Sequence, residues 1–290
     1  MSKSTEEHID AKIRRILKSE TLLSDLTFRF ACESFPDFPA YIASVMTGDE
    51  ISVRDVRVQQ RLMNPGGRDI VTDVMVYGED GSVYDAEPNT YAEGSLIERG
   101  ISHTYLVGSR LLKSGEEWRA LRRGAVIMLN RHDVFGKEEA VIKVEPCIIS
   151  GGKKELYGKG MCLYMVHVSD RGEMGVERDD LLRDLFVGYC QEEMSLPMTK
   201  KVVDYILEEG VQESMYEYIK EYFAQELAEG RAEARAEAHA EGRAEGRAEG
   251  AKEATISNAR AMLAGGIPSD RVADILKLSE SDMKEVMNMR

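Results

Sequence analysis

The sequence predicts an α/β domain followed by a helical, highly charged tail. In several short segments β-branched residues alternate with other residues, as in strands, whereas other segments space their apolar residues three or four apart, as in helices. A low-complexity stretch begins near Glu226, where Ala, Glu, Gly and Arg replace the earlier mixed composition. With 290 residues, of which 43% are apolar, the chain is long enough for one large or two modest domains.

The elements of the first half are predicted in chain order from these spacings. Helices open the chain, and after Gly48 the pattern changes to β-branched alternation through Val53, Val56 and Val58. Two further strands flank Glu79-Asp80-Gly81, a strong turn signal that predicts a hairpin. The predicted helices are residues 6–18 and 38–46, and the predicted hairpin strands are residues 68–77 and 83–89.

The second half of the domain is predicted to return to helix and then to strand. Residues 98–114 have helical spacing and stop at Gly115, a residue typical of helix ends. Apolar runs of strand length follow at residues 124–130, 141–149 and 161–168, and residues 179–193 return to helix.

The tail is predicted to be helical. Residues 200–223 form an amphipathic helix candidate, and from Arg231 to Glu249 the odd positions alternate in charge sign, apart from His239, between Ala and Gly residues. On a helix this places like charges four residues apart, which is mildly destabilising unless another helix brings the opposite charges. We therefore expect a homo-oligomer that associates through coiled-coil-like C-terminal helices, and the alternative is a solvated spacer.

Three short helical pieces are predicted at the end of the chain, at residues 256–263, 269–276 and 279–287. Ser269 is expected to cap the second piece, and Ser279 with Asp282 approximates a capping box for the third. A small helical end-cap fits the balanced charge of this segment better than a DNA-binding helix-turn-helix does.

Composition and charge exclude several classes of protein. The chain has no apolar run near the roughly 20 residues of a bilayer-spanning helix, and its first residues do not resemble a secretory signal. Its four cysteines lie far apart without a CxxC pair, which indicates reduced core thiols, and the missing secretory signal predicts a cytoplasmic protein. The net charge is −14 and no basic arm is present, so a nucleic-acid site would have to be a local patch.

The predicted hairpin carries the candidate site residues Asp73, Glu87 and Asn89. A three-residue loop with Gly81 in the left-handed conformation sets Asp73 opposite Glu87, and Asn89 falls on the same face two residues on. Two opposed carboxylates repel unless a cation lies between them, and Mg²⁺ or Mn²⁺ with waters and a phosphate oxygen is a plausible partner. We expect this polar side to face a cleft, although an exposed hairpin face with acidic residues has the same pattern.

The hairpin also resembles the Asp…Glu-x-Gln core of the PD-(D/E)XK nuclease-family transposases, the group that includes the recombination-promoting nucleases. The segment Val-Tyr-Asp-Ala-Glu-Pro-Asn ending at Asn89 carries this likeness, together with Asp73 and the Asp-Gly turn. The stretch Leu-Leu-Lys-Ser-Gly-Glu-Glu-Trp ending at Trp118 is similar to another motif of the group, and Arg99 stands where an Arg starts the following helix. The Glu-Gly repeat and the small helical end also recur in this family.

This resemblance implies a restriction-endonuclease-like core with the element order α-β-β-β-α-β, followed by the all-α charged tail. It implies a Mg²⁺-dependent (or Mn²⁺-dependent) endodeoxyribonuclease that hydrolyses DNA phosphodiesters, with Asp73 and Glu87 as metal ligands and Asn89 as a third catalytic residue. The expected divisions are a nuclease-like domain at residues 1–193, a charged helical segment at 194–254 and a small helical segment at 255–290.

Departures from the family pattern support an alternative function. Asn89 is shorter than the Gln or Lys of the family, Pro88 precedes it, and Ser102 and His103 stand where the family commonly has two tyrosines. These departures imply a weakened site. The alternative is a catalytically inactive relative that acts as an oligomeric DNA- or protein-binding module.

Overall fold

The described part of the chain divides into two compact units, residues 1–221 and 222–290. A computed structural model describes Ile13, Leu17 and residues 20–288, apart from 65–66, 92–93, 135, 137–138 and 191. The helix predicted at residues 6–18 therefore lies outside the described residues, except for Ile13 and Leu17, which are helical.

The first unit contains a mixed sheet that confirms the predicted α/β class. Its six described strands lie in the order β1-β2-β3-β4-β8-β5, with β3, β4 and β8 parallel to one another and the other neighbours antiparallel. Strands β6 and β7 form a separate antiparallel pair. The strands are β1 (Val53–Leu62), β2 (Ile70–Gly78), β3 (Val83–Asn89), β4 (Arg123–Asn130), β5 (Val141–Val144), β6 (Cys147–Ser150), β7 (Lys153–Leu156) and β8 (Gly160–His167).

Helices cover the sheet and continue into the second unit. None of the helices in the described part of the chain is both long and apolar enough to cross a membrane. The helices are α1 (Asp25–Ser34), α2 (Asp37–Thr47), α3 (Leu96–Gly108), α4 (Glu177–Phe186), α5 (Pro197–Ile206), α6 (Glu209–Ala264), α7 (Ser269–Leu276) and α8 (Glu280–Asn288).

The hairpin of β2 and β3 has the predicted register. Val74 pairs with Ala86, Tyr77 pairs with Val83, and Gly81 has a φ of 83° in the connecting turn. A residue with a Cβ is strained at this φ, so the glycine fixes the loop length and with it the register.

The polar face of the hairpin does not line an open cleft as expected, because helix α3 covers it. Met75 lies on the same face of β2 as Asp73, since side chains alternate along a strand. Met75 packs in one hydrophobic cluster with Leu96 and Val107 of α3. The carboxylates on this face are therefore buried beneath a helix.

Several helices and strands differ in length from the prediction. Helix α3 ends at Gly108, not at Ser114, although Leu111 still packs in the core and extends the apolar spacing. The strand predicted at 141–149 is divided into β5 and β6 at Glu145 and Pro146, because proline cannot donate to the ladder. Helix α4 ends at Phe186, before the predicted end at residue 193.

The amphipathic segment predicted at residues 200–223 contains two helices. Helix α5 ends at Ile206, and α6 begins at Glu209 and continues through the low-complexity stretch, which is helical as predicted. The buried carboxylate of Asp184 accepts hydrogen bonds from the backbone N–H groups of Ser195 (2.8 Å) and Leu196 (3.0 Å) and from the hydroxyl of Thr199. These bonds fix the start of α5 in the first unit.

The second unit has a small apolar core of its own. Ala259, Val272, Met283 and Val286 are buried together. The predicted piece at 256–263 is the end of α6, whereas α7 and α8 match the other two pieces closely, although the N-cap of α7 is Pro268 and not Ser269 as predicted. The capping box before α8 is confirmed, since the Ser279 N–H donates to Asp282 Oδ2 (3.1 Å) and the Asp282 N–H donates to Ser279 Oγ (3.2 Å).

Candidate active site

Asp73 and Glu87 lie together at the end of the hairpin. Both side chains are buried, and the backbone N–H of Asp73 donates a hydrogen bond of 2.7 Å to Glu87 Oε1. The register predicted from the turn thus places the two carboxylates side by side on adjacent strands, one residue beyond the Val74–Ala86 pair on each strand.

Helix α1 supplies a cation to Asp73. The guanidinium of Arg29 donates from Nη2 (2.5 Å) and Nε (3.1 Å) to Asp73 Oδ1, and the same Nη2 lies 2.8 Å from Asp25 Oδ1. Arg29 and Asp73 are both buried, so this ion pair is poorly screened by water.

Helix α3 supplies a second cation, to Glu87. Arg99 Nη2 donates to Glu87 Oε2 at 3.0 Å, and the Glu87 side chain is fully buried. Two arginines from the flanking helices therefore compensate part of the charge of these carboxylates, and the predicted divalent ion stays a prediction.

Asp85 and His103 complete the cluster, and neither is among the site residues predicted from the sequence. His103 Nδ1 lies 3.0 Å from Asp85 Oδ2 and 3.6 Å from Glu87 Oε1. Asp85 is fully buried, and its Oδ1 has no hydrogen-bond partner among the described residues. Two signals could have found these residues: Asp85 lies on the face of β3 that carries Glu87, and His103 lies one helical turn after Arg99.

Asn89 has its contact away from the two carboxylates. It is buried, and its Nδ2 donates a long hydrogen bond of 3.4 Å to Asn130 Oδ1 at the end of β4. Pro88 lies beyond the last β2–β3 pair, on a part of β3 whose described pairing is with β4. The chain therefore accommodates a proline in an interior strand.

Burial perturbs the ionisation of this cluster. It raises the pKa of Asp85 to about 8, and burial with the charges of Asp85 and Asp73 holds the pKa of Glu87 well above its ordinary value. Burial lowers the pKa of His103. Burial and the charge of Asp73 raise the pKa of Asp25 to about 6. Without a cation, the cluster resists full ionisation.

The acids of the cluster outnumber its arginines by the charge of one divalent cation. Within the described residues, two guanidinium groups face the carboxyl groups of Asp25, Asp73, Asp85 and Glu87. With all four acids ionised the cluster would hold two excess negative charges, which two protons or one divalent ion can balance. The ligand atoms of Asp85, Glu87 and His103 lie within 4.8 Å of one another. These residues could hold a metal ion, and the unpartnered Asp85 Oδ1 fits that use.

A pocket of about 540 Å³ opens beside the cluster. Arg99 and His103 line it together with Arg68, which is exposed at its rim. The pocket thus places two guanidinium groups, which bind phosphate well, next to the buried acids, and the carboxyl groups of Asp69 and Glu98 line it too.

No protein-family model, no curated protein and no solved structure matches this chain.

Proposed function

We propose that the protein is a cytoplasmic metal-dependent DNA endonuclease of the recombination-promoting type. The element order α2-β1-β2-β3-α3-β4 supports this proposal, because it is the order that the family resemblance implies. The adjacent positions of Asp73 and Glu87 support it as well.

The observation that carries the proposal is the buried acidic cluster beside a pocket that arginines line. A protein does not retain excess buried carboxylates unless a cation or protons compensate them. Metal-dependent phosphodiester hydrolysis uses a divalent cation near the phosphate and positive groups that hold the phosphate oxygens. The cluster and the pocket bring these two requirements together.

In this proposal Asp73 and Glu87 hold Mg²⁺ or Mn²⁺ and Arg99 has two roles. A bound divalent ion supplies Lewis acidity and lowers the pKa of a water ligand. Arg99 fixes the orientation of Glu87 through Oε2 and lines the pocket, where its guanidinium can contact a phosphate oxygen. Arg29 holds Asp73 in place from the helix α1 side.

Nicking of supercoiled plasmid DNA tests this function. We expect the purified full-length protein to nick the plasmid with Mg²⁺ or Mn²⁺ and to lose this activity in EDTA. The activity should be low, because the net charge of −14 opposes DNA binding, and affinity should fall only shallowly with salt. Cleavage that persists in EDTA would contradict a metal-dependent mechanism.

One observation favours the alternative of a catalytically inactive binding module. Arg29 and Arg99 already compensate Asp73 and Glu87, and the Asn89 amide contacts Asn130. Such a cluster can be stable with protons in place of a metal. DNA binding without cleavage in either metal would favour this alternative.

We also propose that the protein is a homo-oligomer through its charged helix. In the full-length chain, Arg243→Glu with Arg247→Glu removes part of the positive stripe that a second copy would pair with its glutamates. We expect this variant to be monomeric by light scattering and the matched control, Arg243→Lys with Arg247→Lys, to remain oligomeric. A wild type that is monomeric at micromolar concentration would contradict the proposal.

Truncation of the tail is a less suitable test of oligomerisation than charge reversal, because it would remove part of the first unit. A chain ending after Pro197 would remove α5, whose residues Val202 and Ile206 are buried in the first unit. Charge reversal in α6 avoids this damage and is the sharper experiment.

A further inference from the structure

We propose that Asp85, Glu87 and His103 form a three-ligand site that selects a transition-metal ion, such as Mn²⁺, Co²⁺ or Zn²⁺, over Mg²⁺. The inference rests on the proposed function for the role of the ion, keeps Glu87 as a ligand, and adds Asp85 and His103 in place of Asp73.

The distances within this cluster match those between ligands on one metal ion. Ligands at about 2.1 Å from a metal are about 3.0 Å apart when they are neighbours in an octahedron and about 3.4 Å apart in a tetrahedron. His103 Nδ1 lies 3.0 Å from Asp85 Oδ2 and 3.6 Å from Glu87 Oε1. Small side-chain movements would therefore suffice for coordination, in which the metal replaces the hydrogen bond between His103 Nδ1 and Asp85 Oδ2.

The Asp85 carboxylate provides an independent indication of a missing partner. The side chain is fully buried, no donor among the residues that the structure describes reaches its Oδ1, and its side-chain contact with Glu87 is a contact with a second acid. Leaving a buried carboxylate oxygen unpartnered is costly, and a metal ion bound to this group removes the cost.

Glu87 is oriented so that one oxygen faces the histidine. Arg99 holds Oε2, whereas Oε1 accepts from the Asp73 N–H and lies toward His103 Nδ1. An oxygen that accepts one hydrogen bond retains a lone pair for a metal. The ring nitrogen and two carboxylate oxygens thus converge from a helix and a strand.

The imidazole sets the class of metal. Mg²⁺ prefers a shell of hard oxygen ligands. An imidazole nitrogen binds Co²⁺ and Zn²⁺ better than Mn²⁺, and it binds all three of these ions better than Mg²⁺. Asp73 contributes less to this shell, because Arg29 already occupies its Oδ1. His103 also lines the pocket, whereas Asp85 and Glu87 lie fully buried behind it.

Metal titration of the full-length protein without DNA tests this inference. We expect calorimetry to show tighter binding of Mn²⁺ and Zn²⁺ than of Mg²⁺. His103→Gln and Asp85→Asn should each weaken Mn²⁺ binding by at least about tenfold, since even outer-shell changes cost that much. The matched control is His132→Gln, which changes an exposed histidine.

A spectroscopic measurement on the unmodified protein covers the case in which a variant fails to fold. Electron spin-echo spectra of the Mn²⁺-loaded wild type should show coupling to a ¹⁴N nucleus of imidazole, and the spectra of folded His103→Gln should lack it. No nitrogen coupling, with equal Mg²⁺ and Mn²⁺ affinity in wild type and His103→Gln, would overturn the inference. Plasmid nicking by that same protein would still stand, so the two proposals can fail separately.

Discussion

Replacing Glu87 by glutamine is expected to lower metal-dependent plasmid nicking by about 100- to 1,000-fold, the typical loss when one preorganised electrostatic group is removed from an active site. Glutamine has nearly the shape of glutamate but lacks its charge. It therefore weakens the hold on a cation. Its one oxygen can accept from the buried Asp73 N–H, and its NH2 group then replaces the acceptor of Arg99, whose side chain is 36% exposed.

The fold should tolerate this change. The pKa of Glu87 is raised because burial and neighbouring acids oppose its ionisation, so loss of its negative charge relieves repulsion in the metal-free protein. The matched control is Glu98→Gln, which removes the same charge from an exposed position at the rim of the same pocket. Initial nicking rates and urea unfolding should be measured for both variants. Equal nicking by wild type and Glu87→Gln would remove Glu87 from the site.

Local chemistry explains why the hairpin could be predicted. The turn at Gly81 needs few residues and a positive φ, and the register follows from it without any knowledge of the rest of the fold. The adjacency of Asp73 and Glu87 is a direct consequence. This part of the candidate site depends only on residues that are close in the sequence, so the sequence pattern is sufficient to predict it.

The partners of these carboxylates depend on tertiary packing. Arg29 reaches Asp73 from a helix that precedes the sheet, and the phase of α3 decides whether Arg99 and His103 face the strands. Apolar spacing indicates that α3 has a buried side but does not say which strand lies beneath it. The sequence therefore predicts two carboxylates and leaves unidentified the arginines and the histidine that bind them.

The errors in helix length have a similar origin. Leu111 continues the apolar spacing of α3 after the helix has ended at Gly108, because a turn can also direct a leucine into the core. The break between Ile206 and Glu209 separates two helices that are both amphipathic, so no change of pattern marks it.

Replacing Arg29 by methionine is expected to lower the free energy of unfolding by about 3–5 kcal/mol, the usual cost of removing one partner from a buried ion pair. Methionine fills much of the same volume but cannot donate to Asp73 Oδ1. The Asp73 carboxylate would then stay buried without its guanidinium, beside the acids Asp85 and Glu87. Urea unfolding in EDTA measures this cost without a contribution from bound metal.

A matched substitution at an exposed arginine shows how much of the stability loss is due to burial of the ion pair. Arg61 donates to Asp69 from Nε (3.2 Å) and Nη2 (2.9 Å), but its side chain is 68% exposed, so Arg61→Met should cost less than about 1 kcal/mol. Adding Asp73→Asn to Arg29→Met should recover part of the lost stability, because it removes the uncompensated charge. Equal costs for the two arginine variants, or no recovery in the double variant, would mean that Arg29 acts through packing and not by compensating Asp73. A large cost with recovery would mean that the guanidinium of Arg29 on α1 compensates the buried acids and holds the cluster together.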